Sequence, residues 1–427
     1  MINNIFSLEV LRARQGDCLM LHYGTDDEPA LALIDGGPSG VYKSFLRPRL
    51  VALRTERGLA DNDALPIDLC MLSHIDDDHV VGLLGLTKEL VEADDNNKPK
   101  IVQILDLWHN AFDDIVDNDA EELASAVQAR FGPASLSGDI PLDAGANVDS
   151  VMVLASIPKG RRLRDDAVKL GIERNLDVGG QLVVARSANQ PLDMGKGLTI
   201  TVAGPMLAEV QDLQKDHAKW VATHPEEIRK SAEALAEYRD ESVPNLSSIV
   251  VLAATNGPDP KRILFTGDAR GDKVLEGLEL VGLLDQGGSM HVDVLKGPHH
   301  GSANNLEQDF FERILADHYV FSGDGQFGNP ERDTLEMLAA ARGDDDYVIH
   351  LTYPVDEIDV ERKKDWEKHR ADEQRRNANK PAVEVRAEWS DTDNSLAAFL
   401  AGNPAVSDKV VVVEEGVPHT IDLLGKR

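Results

Sequence analysis

The chain has 427 residues, 42% of them hydrophobic, and a formal net charge of -31 from 75 acidic and 44 basic side chains. That content supports one large core or two ordinary ones. The acidic excess argues against a broad nonspecific nucleic-acid binder, though not against a nuclease whose metal ions supply local positive charge. With no apolar run near the roughly 20 residues a bilayer span needs, no secretory leader pattern in Met1 to Leu11 and only Cys18 and Cys70 as thiols, the expectation is a cytoplasmic protein without membrane partner or disulfide framework.

Residues 5–24 alternate apolar and polar positions and read as one or two strands around a Gln15-Gly16-Asp17 turn. Leu31 to Ile34 is a strand that stops at Asp35-Gly36-Gly37-Pro38. A helix is expected over 43–57 and a buried strand over Ile67 to Leu72. Directly after that strand comes Ser73-His74-Ile75-Asp76-Asp77-Asp78-His79. Helical periodicity resumes over 81–91, a strand follows at 101–108, and 113–130 reads as an acidic amphipathic helix.

Leu198 to Ala203 is a strand ended by Gly204-Pro205, and 206–241 reads as a helical, Ala-rich insertion that could cover a site. Strands at 247–254 and 262–266 follow, the second ending in Gly267-Asp268. The strand at 292–295 runs into Lys296-Gly297-Pro298-His299-His300-Gly301-Ser302. Short strands at 319–322 and 347–352 complete the expected core. A highly charged helix over 357–380 interleaves basic residues with Glu361, Asp365, Glu367, Asp372 and Glu373. That pattern suits a solvated face with mixed-sign pairs better than a grip on phosphates. Residues 384–427 read as two strands and a short helix.

Two histidines and three aspartates stand within six positions, and carboxylates at that density repel one another unless a cation holds them. Imidazole and carboxylate together are ligands for zinc, manganese or iron. Asp35, the 74–79 cluster, Asp268 and His299-His300 all follow strands, so their joint occurrence points to one site on one sheet edge. Singly, Asp35 is a turn former and a His pair is structural. His109, at another strand end, is a weaker candidate; His217 and His224 lie in the insertion, where exposed positions are expected.

His74-x-Asp76-x-Asp78-His79 resembles the metal motif of the metallo-β-lactamase superfamily. Most members carry His where this chain has Asp76. That variant is similar to the soluble domain of ComEC-type DNA-uptake proteins and its free-standing relatives. Gly16-Asp17, Ile34 to Pro38, Asn245 to Val251, Leu264 to Asp268 and Leu295 to Ser302 match the same subgroup in the same order, over roughly residues 5–335.

The resemblance implies a four-layer αβ/βα sandwich, two mixed sheets face to face with helices outside. Residues 1–355 would form the hydrolase domain, with the helical insertion at about 206–244 and a C-terminal extension over 356–427. It implies two divalent ions, zinc or manganese, with His74 and Asp76 on one, and Asp78, His79 and one of the His pair on the other. Asp268 would bridge them. His299 is the preferred ligand of the pair. Asp78 and His300 are the expected catalytic residues, His300 meeting a substrate oxygen or acting as general acid. Ions about 3.5–4 Å apart can share a hydroxide, and Asp76 shifts preference from zinc towards manganese.

Lys296 is a second candidate for binding substrate charge. Asp17 and Asp35 are expected behind the ligands and Asp77 as a spacer. Asn329 departs from relatives, which often carry His before that proline, and Asn245 falls where a third histidine would stand elsewhere. The expected function is a metal-dependent phosphodiesterase or nuclease acting on nucleic acid or a small phosphodiester. The alternatives are a small-molecule ester, lactone or cyclic-nucleotide hydrolase, or a weakly catalytic regulatory protein with a partner surface on the C-terminal charged helix.

Overall fold

A computed structural model describes residues 4–110, 148–187, 190–211, 248–378 and 385–425. The acidic helix expected at 113–130, most of the insertion expected at 206–244, and His217, His224 and Asn245 lie outside the described residues.

Among the described residues, seven strands form the first sheet: β1 (Asn4–Val10), β2 (Leu19–Thr25), β3 (Pro29–Ile34), β5 (Leu69–Met71), β7 (Asp106–Trp108), β8 (Glu173–Arg174) and β17 (His419–Asp422), in the order β17-β1-β2-β3-β5-β7-β8. Eight form the second: β9 (Leu192–Asp193), β10 (Leu198–Gly204), β11 (Val250–Thr255), β12 (Arg262–Phe265), β13 (Met290–Lys296), β14 (Ile314–Phe321), β15 (Val348–Leu351) and β16 (Val410–Val412). A separate pair joins β4 (Leu65–Ile67) to β6 (Val102–Ile104).

Both large sheets are mixed. β1, β2 and β3 are antiparallel, whereas β3, β5 and β7 run parallel. β10 to β12 are antiparallel, and β12 to β16 are parallel. The final strands of the chain reach both sheets, β16 beside β15 and β17 beside β1.

Strand alternation sets the layers. Phe6, Leu8 and Leu21 of the first sheet meet Ile200, Val251, Ile263 and Val294 of the second in one buried cluster. The opposite face of the first sheet, with Leu33 and Cys70, packs on Leu50 and Leu53 of α1 (Arg47–Glu56) and Leu83 and Leu86 of α2 (Asp77–Asp95). Leu163 and Ala167 of α3 (Val148–Leu170) join that cluster.

The outer face of the second sheet, with Leu264, Leu295 and Tyr319, packs on α4 (Gly271–Leu280), α5 (Gln308–Arg313), α6 (Arg332–Arg342) and α7 (Val355–Asn377) through Leu278, Phe310, Leu338 and Ile358. The protein is therefore mixed α/β, compatible with the α/β sandwich expected from the sequence.

The start of α2 decides where the 74–79 cluster lies. Asp76 stands at the N-cap in extended backbone, and Asp77 and Asp78 occupy the first turn, where negative charge suits the helix dipole. That turn is fastened to the loop after β3. Gly36 N–H donates to the His79 carbonyl at 2.8 Å, and Gly82 N–H to the Gly37 carbonyl at 2.8 Å. A Cβ on Gly82 would lie 1.7 Å from the Gly36 oxygen. In a free helix Gly→Ala gains about 1 kcal/mol. Here Gly82→Ala is expected to cost about 1–3 kcal/mol, as overpacking does. A raised midpoint in urea denaturation would contradict this close approach.

Candidate metal centre

The site lies where β3, β5, β12, β13 and β14 end, beside the turn that leads into β2. Asp35 follows β3 with a left-handed φ of 59°. It is 1% exposed and accepts three hydrogen bonds: from Ser73 N–H at 2.7 Å, Ser73 O–H at 2.7 Å and His79 Nδ1–H at 2.9 Å. Ser73 Oγ, having given its proton to Asp35, accepts from His74 Nδ1–H at 3.1 Å. Both imidazoles are thereby fixed in the tautomer that turns an Nε2 lone pair into the site.

His300 is fixed the same way from the opposite side. Its Nδ1 lies 3.1 Å from Ser322 Oγ and 3.4 Å from Asp17 Oδ1. Ser322 O–H donates to Asp17, and Lys296 Nζ stands 2.5 Å from the other Asp17 oxygen.

The inward-facing atoms converge on Asp268. Its Oδ1 lies 3.4 Å from His79 Nε2 and 3.4 Å from His300 Nε2. Its Oδ2 lies 3.7 Å from His74 Nε2 and 3.7 Å from His299 Nε2. Asp78 adds Oδ1 at 3.8 Å from His79 Nε2 and Oδ2 at 3.5 Å from His300 Nε2. Asp76 Oδ2 is 3.6 Å from His74 Nε2.

His79 Nε2, Asp268 Oδ1 and His300 Nε2 are buried with no hydrogen-bond partner. Such orphans are costly unless something else satisfies them. Ligands about 2.1 Å from one tetrahedral ion stand about 3.4 Å apart, which is the spacing seen here. The donor set, its separations and its orphaned atoms fit a divalent ion. Two groups meet the geometric demand, Asp17 with His79, Asp268 and His300, and His74 with Asp78 and His79.

Without a metal, protons balance this charge. Burial alone would lower the His300 pKa, but Asp268 and Asp17 raise it to about 10. Burial acts the same way on His79 and is outweighed by Asp268, Asp78 and Asp35, so its pKa is raised well above the usual value. Burial pushes the Asp268 carboxyl up, yet His300, His79, His299 and His74 hold it well below the ordinary range. Burial likewise raises Asp17, and Lys296 followed by His300 more than offset it.

The structure brings His74, Asp76, Asp78, His79, Asp268 and both members of the His pair to one place. Both Nε2 atoms of the pair face Asp268, that of His300 at 3.4 Å from Oδ1 and that of His299 at 3.7 Å from Oδ2, and of the two His300 falls within a metal-holding group. His300, expected as a catalytic group, is 2% exposed and turns its orphaned Nε2 into the cluster. His299, expected as the ligand, has a side chain 37% exposed. The Asn305 amide nitrogen faces its Nδ1, which places the His299 proton on Nε2. The reason is local backbone: both residues take left-handed φ, 46° and 54°, in a tight turn after β13. The turn leaves His300 buried and His299 partly exposed while both Nε2 atoms face Asp268.

Other expectations are also corrected. Lys296 is 1% exposed and engaged with Asp17, so its ammonium is not presented to a substrate. Asp77 is more than a spacer: it holds Lys159 of α3 at 2.5 Å. His109 is buried, with its Nε2–H on the Gly160 carbonyl at 3.3 Å. Burial, with Arg174 and Arg164 nearby, lowers its pKa to about 4. Asn329 is 7% exposed, and its carbonyl accepts from Gly325 N–H at 3.0 Å. On α7, Lys364 pairs with Glu361 at 2.6 Å, Arg362 with Asp359 at 3.2 Å, and Arg375 with Asp372. Lys364–Glu361 and Arg375–Asp372 are the mixed-sign pairs expected of a solvated face, whereas Arg362 is buried, its guanidinium also donating to the Gly328 and Asn394 carbonyls.

Sequence reasoning missed Ser73 and Ser322 as orienting groups. The one available signal was their place directly after a strand, beside residues already suspected.

No protein-family model matches the chain, and a comparison with curated proteins finds no match. Among the described residues no helix is long and apolar enough to cross a membrane. The fold and site define a mixed α/β protein with a buried Asp/His cluster that can hold a metal ion.

Proposed function

We propose that the chain is a metal-dependent hydrolase of the metallo-β-lactamase fold with a two-ion centre, acting on phosphodiester bonds. The observation that carries this reading is Asp268. Its two oxygens face different histidines, Oδ1 towards His79 and His300 and Oδ2 towards His74 and His299, an arrangement that would suit a carboxylate serving two ions. His74, Asp76, Asp78, His79, Asp268 and His300 would hold the ions. Bound divalent ions supply Lewis acidity and a water whose pKa falls to about 7.

The protein's own residues do the rest. Asp35 and Ser73 orient His79 and His74; Asp17 and Ser322 orient His300. His299, half-open to solvent with its proton on Nε2, is placed to donate a hydrogen bond to a substrate oxygen. The choice of phosphodiester rests on the sequence resemblance to the DNA-uptake branch, an associational warrant.

The test is a substrate screen with protein reconstituted separately with manganese and zinc. Hydrolysis of bis(p-nitrophenyl) phosphate, without action on lactones or thioesters, is the expected result. Turnover of lactones or thioesters alone would transfer the reading to a small-molecule hydrolase. Metal-loaded protein inert on every class would sink the enzyme reading.

A further inference from the structure

A lysine that is 1% exposed, beside a carboxylate that is 1% exposed, needs a reason. Replacing a buried ion pair with apolar groups is often neutral or stabilising, so such a pair is weak evidence of stabilisation. The pair sits directly behind His300. Lys296 Nζ is 2.5 Å from Asp17 Oδ2 and 3.3 Å from the Gly267 carbonyl, next to Asp268. Asp17 Oδ1 receives Ser322 O–H and faces His300 Nδ1 at 3.4 Å.

Two further facts bear on its use. Asp17 is close enough to His79, Asp268 and His300 to belong to a metal-holding group, yet both of its oxygens are already engaged. The turn that carries it is pressed against the site: Asp17 N–H donates to the Asp78 carbonyl at 3.3 Å, and a Cβ on Gly16 would lie 1.9 Å from that oxygen.

We propose that Lys296 and Asp17 are positioning residues of the metal centre: the ammonium occupies Asp17, keeps it out of the ligand set, and leaves it to hold His300 with Nε2 aimed at the ion. This rests on the metal-centre reading above. Asp35 performs the matching task for His79 without a lysine, using Ser73 N–H and O–H as its other donors. The two sides of the site thus use one carboxylate–serine–histidine arrangement. On the Asp17 side a buried cation replaces the backbone donor.

The test combines Lys296→Met, Asp17→Asn and the double variant. Two readouts are taken: thermal melting of metal-free protein, and Mn²⁺ binding by calorimetry with Mn²⁺ as the only added ligand. Each single change strands a buried partner, so both singles should melt lower, and the double variant should recover most of that loss. Mn²⁺ affinity should stay about 10–100-fold below wild type in the double variant, the usual cost of losing a group behind a ligand. Recovery of both melting and Mn²⁺ affinity in the double variant would overturn the proposal, since the pair would then be structural only. If either single fails to fold, the double variant still decides the matter. Wild-type protein that binds no Mn²⁺ or Zn²⁺ would instead remove the metal-centre reading itself, a different and separable result.

Discussion

Asp268→Asn is expected to strip the protein of metal and to abolish turnover while the fold persists. Among the described residues, Asp268 is the one carboxylate within 3.7 Å of four imidazole nitrogens. The amide keeps the shape but halves the acceptor atoms and removes the charge. Loss of a directly coordinating group should exceed the roughly 10–100-fold typical of groups one step behind, so at least about 100-fold in Mn²⁺ or Zn²⁺ affinity is expected. Metal analysis after dialysis gives the readout; wild-type metal content in this variant would remove Asp268 from the centre.

The same residue controls a proton count. His300 in the metal-free protein holds its proton up to about pH 10, against an ordinary value of 6.5. A ligating imidazole must be neutral, so metal uptake at pH 7 releases protons, and apparent affinity rises with pH up to about 10. Calorimetry in two buffers of different ionisation enthalpy measures the release in the wild-type protein. Stability follows the same linkage. The folded pKa of His300 lies above its unfolded value. Its contribution to metal-free stability is therefore full below about 6.5 and is lost as pH rises through about 10.

The sequence carried this site further than the fold around it, for a physical reason. Metal ligands must follow strand ends to reach a common edge, so Asp35, His74 to His79, Asp268 and His299-His300 announced themselves by residue type and place. Which histidine of the pair is the more buried depends on two left-handed φ values, which two identical side chains cannot reveal. Lys296 read as a candidate for binding substrate charge because its type outweighed its register. Yet it alternates with Val294, which lies between the sheets, and that register was the available sign of burial. The strands at 410–412 and 419–422 were legible as strands. Their partners were not, because pairing β16 with β15 and β17 with β1 brings together residues far apart in sequence.

Asp35→Ala is expected to be strongly destabilising. Alanine at this position leaves Ser73 N–H, Ser73 O–H and His79 Nδ1–H in a buried place without their acceptor. Hydrogen bonds to a charged group are worth about 1.5–3 kcal/mol each, and stranding buried donors adds to that. Because such terms are not additive, a loss of about 3–5 kcal/mol is expected, the range for breaking a buried polar pair. Urea denaturation of metal-free protein measures it. Asp35→Asn retains one acceptor oxygen and should fall between wild type and Ala, so a ranking survives even if Ala prevents folding.

The competing view is that Asp35 merely forms the turn before Gly36-Gly37. Its φ of 59° is where glycine is at ease and other residues are not. On that view Asp35→Gly should be neutral or stabilising. If Asp35 orients His79, Gly should cost nearly as much as Ala and should weaken Mn²⁺ binding about 10–100-fold. The sign of the Gly variant therefore separates a turn residue from the carboxylate on which His79, and through it the centre, depends.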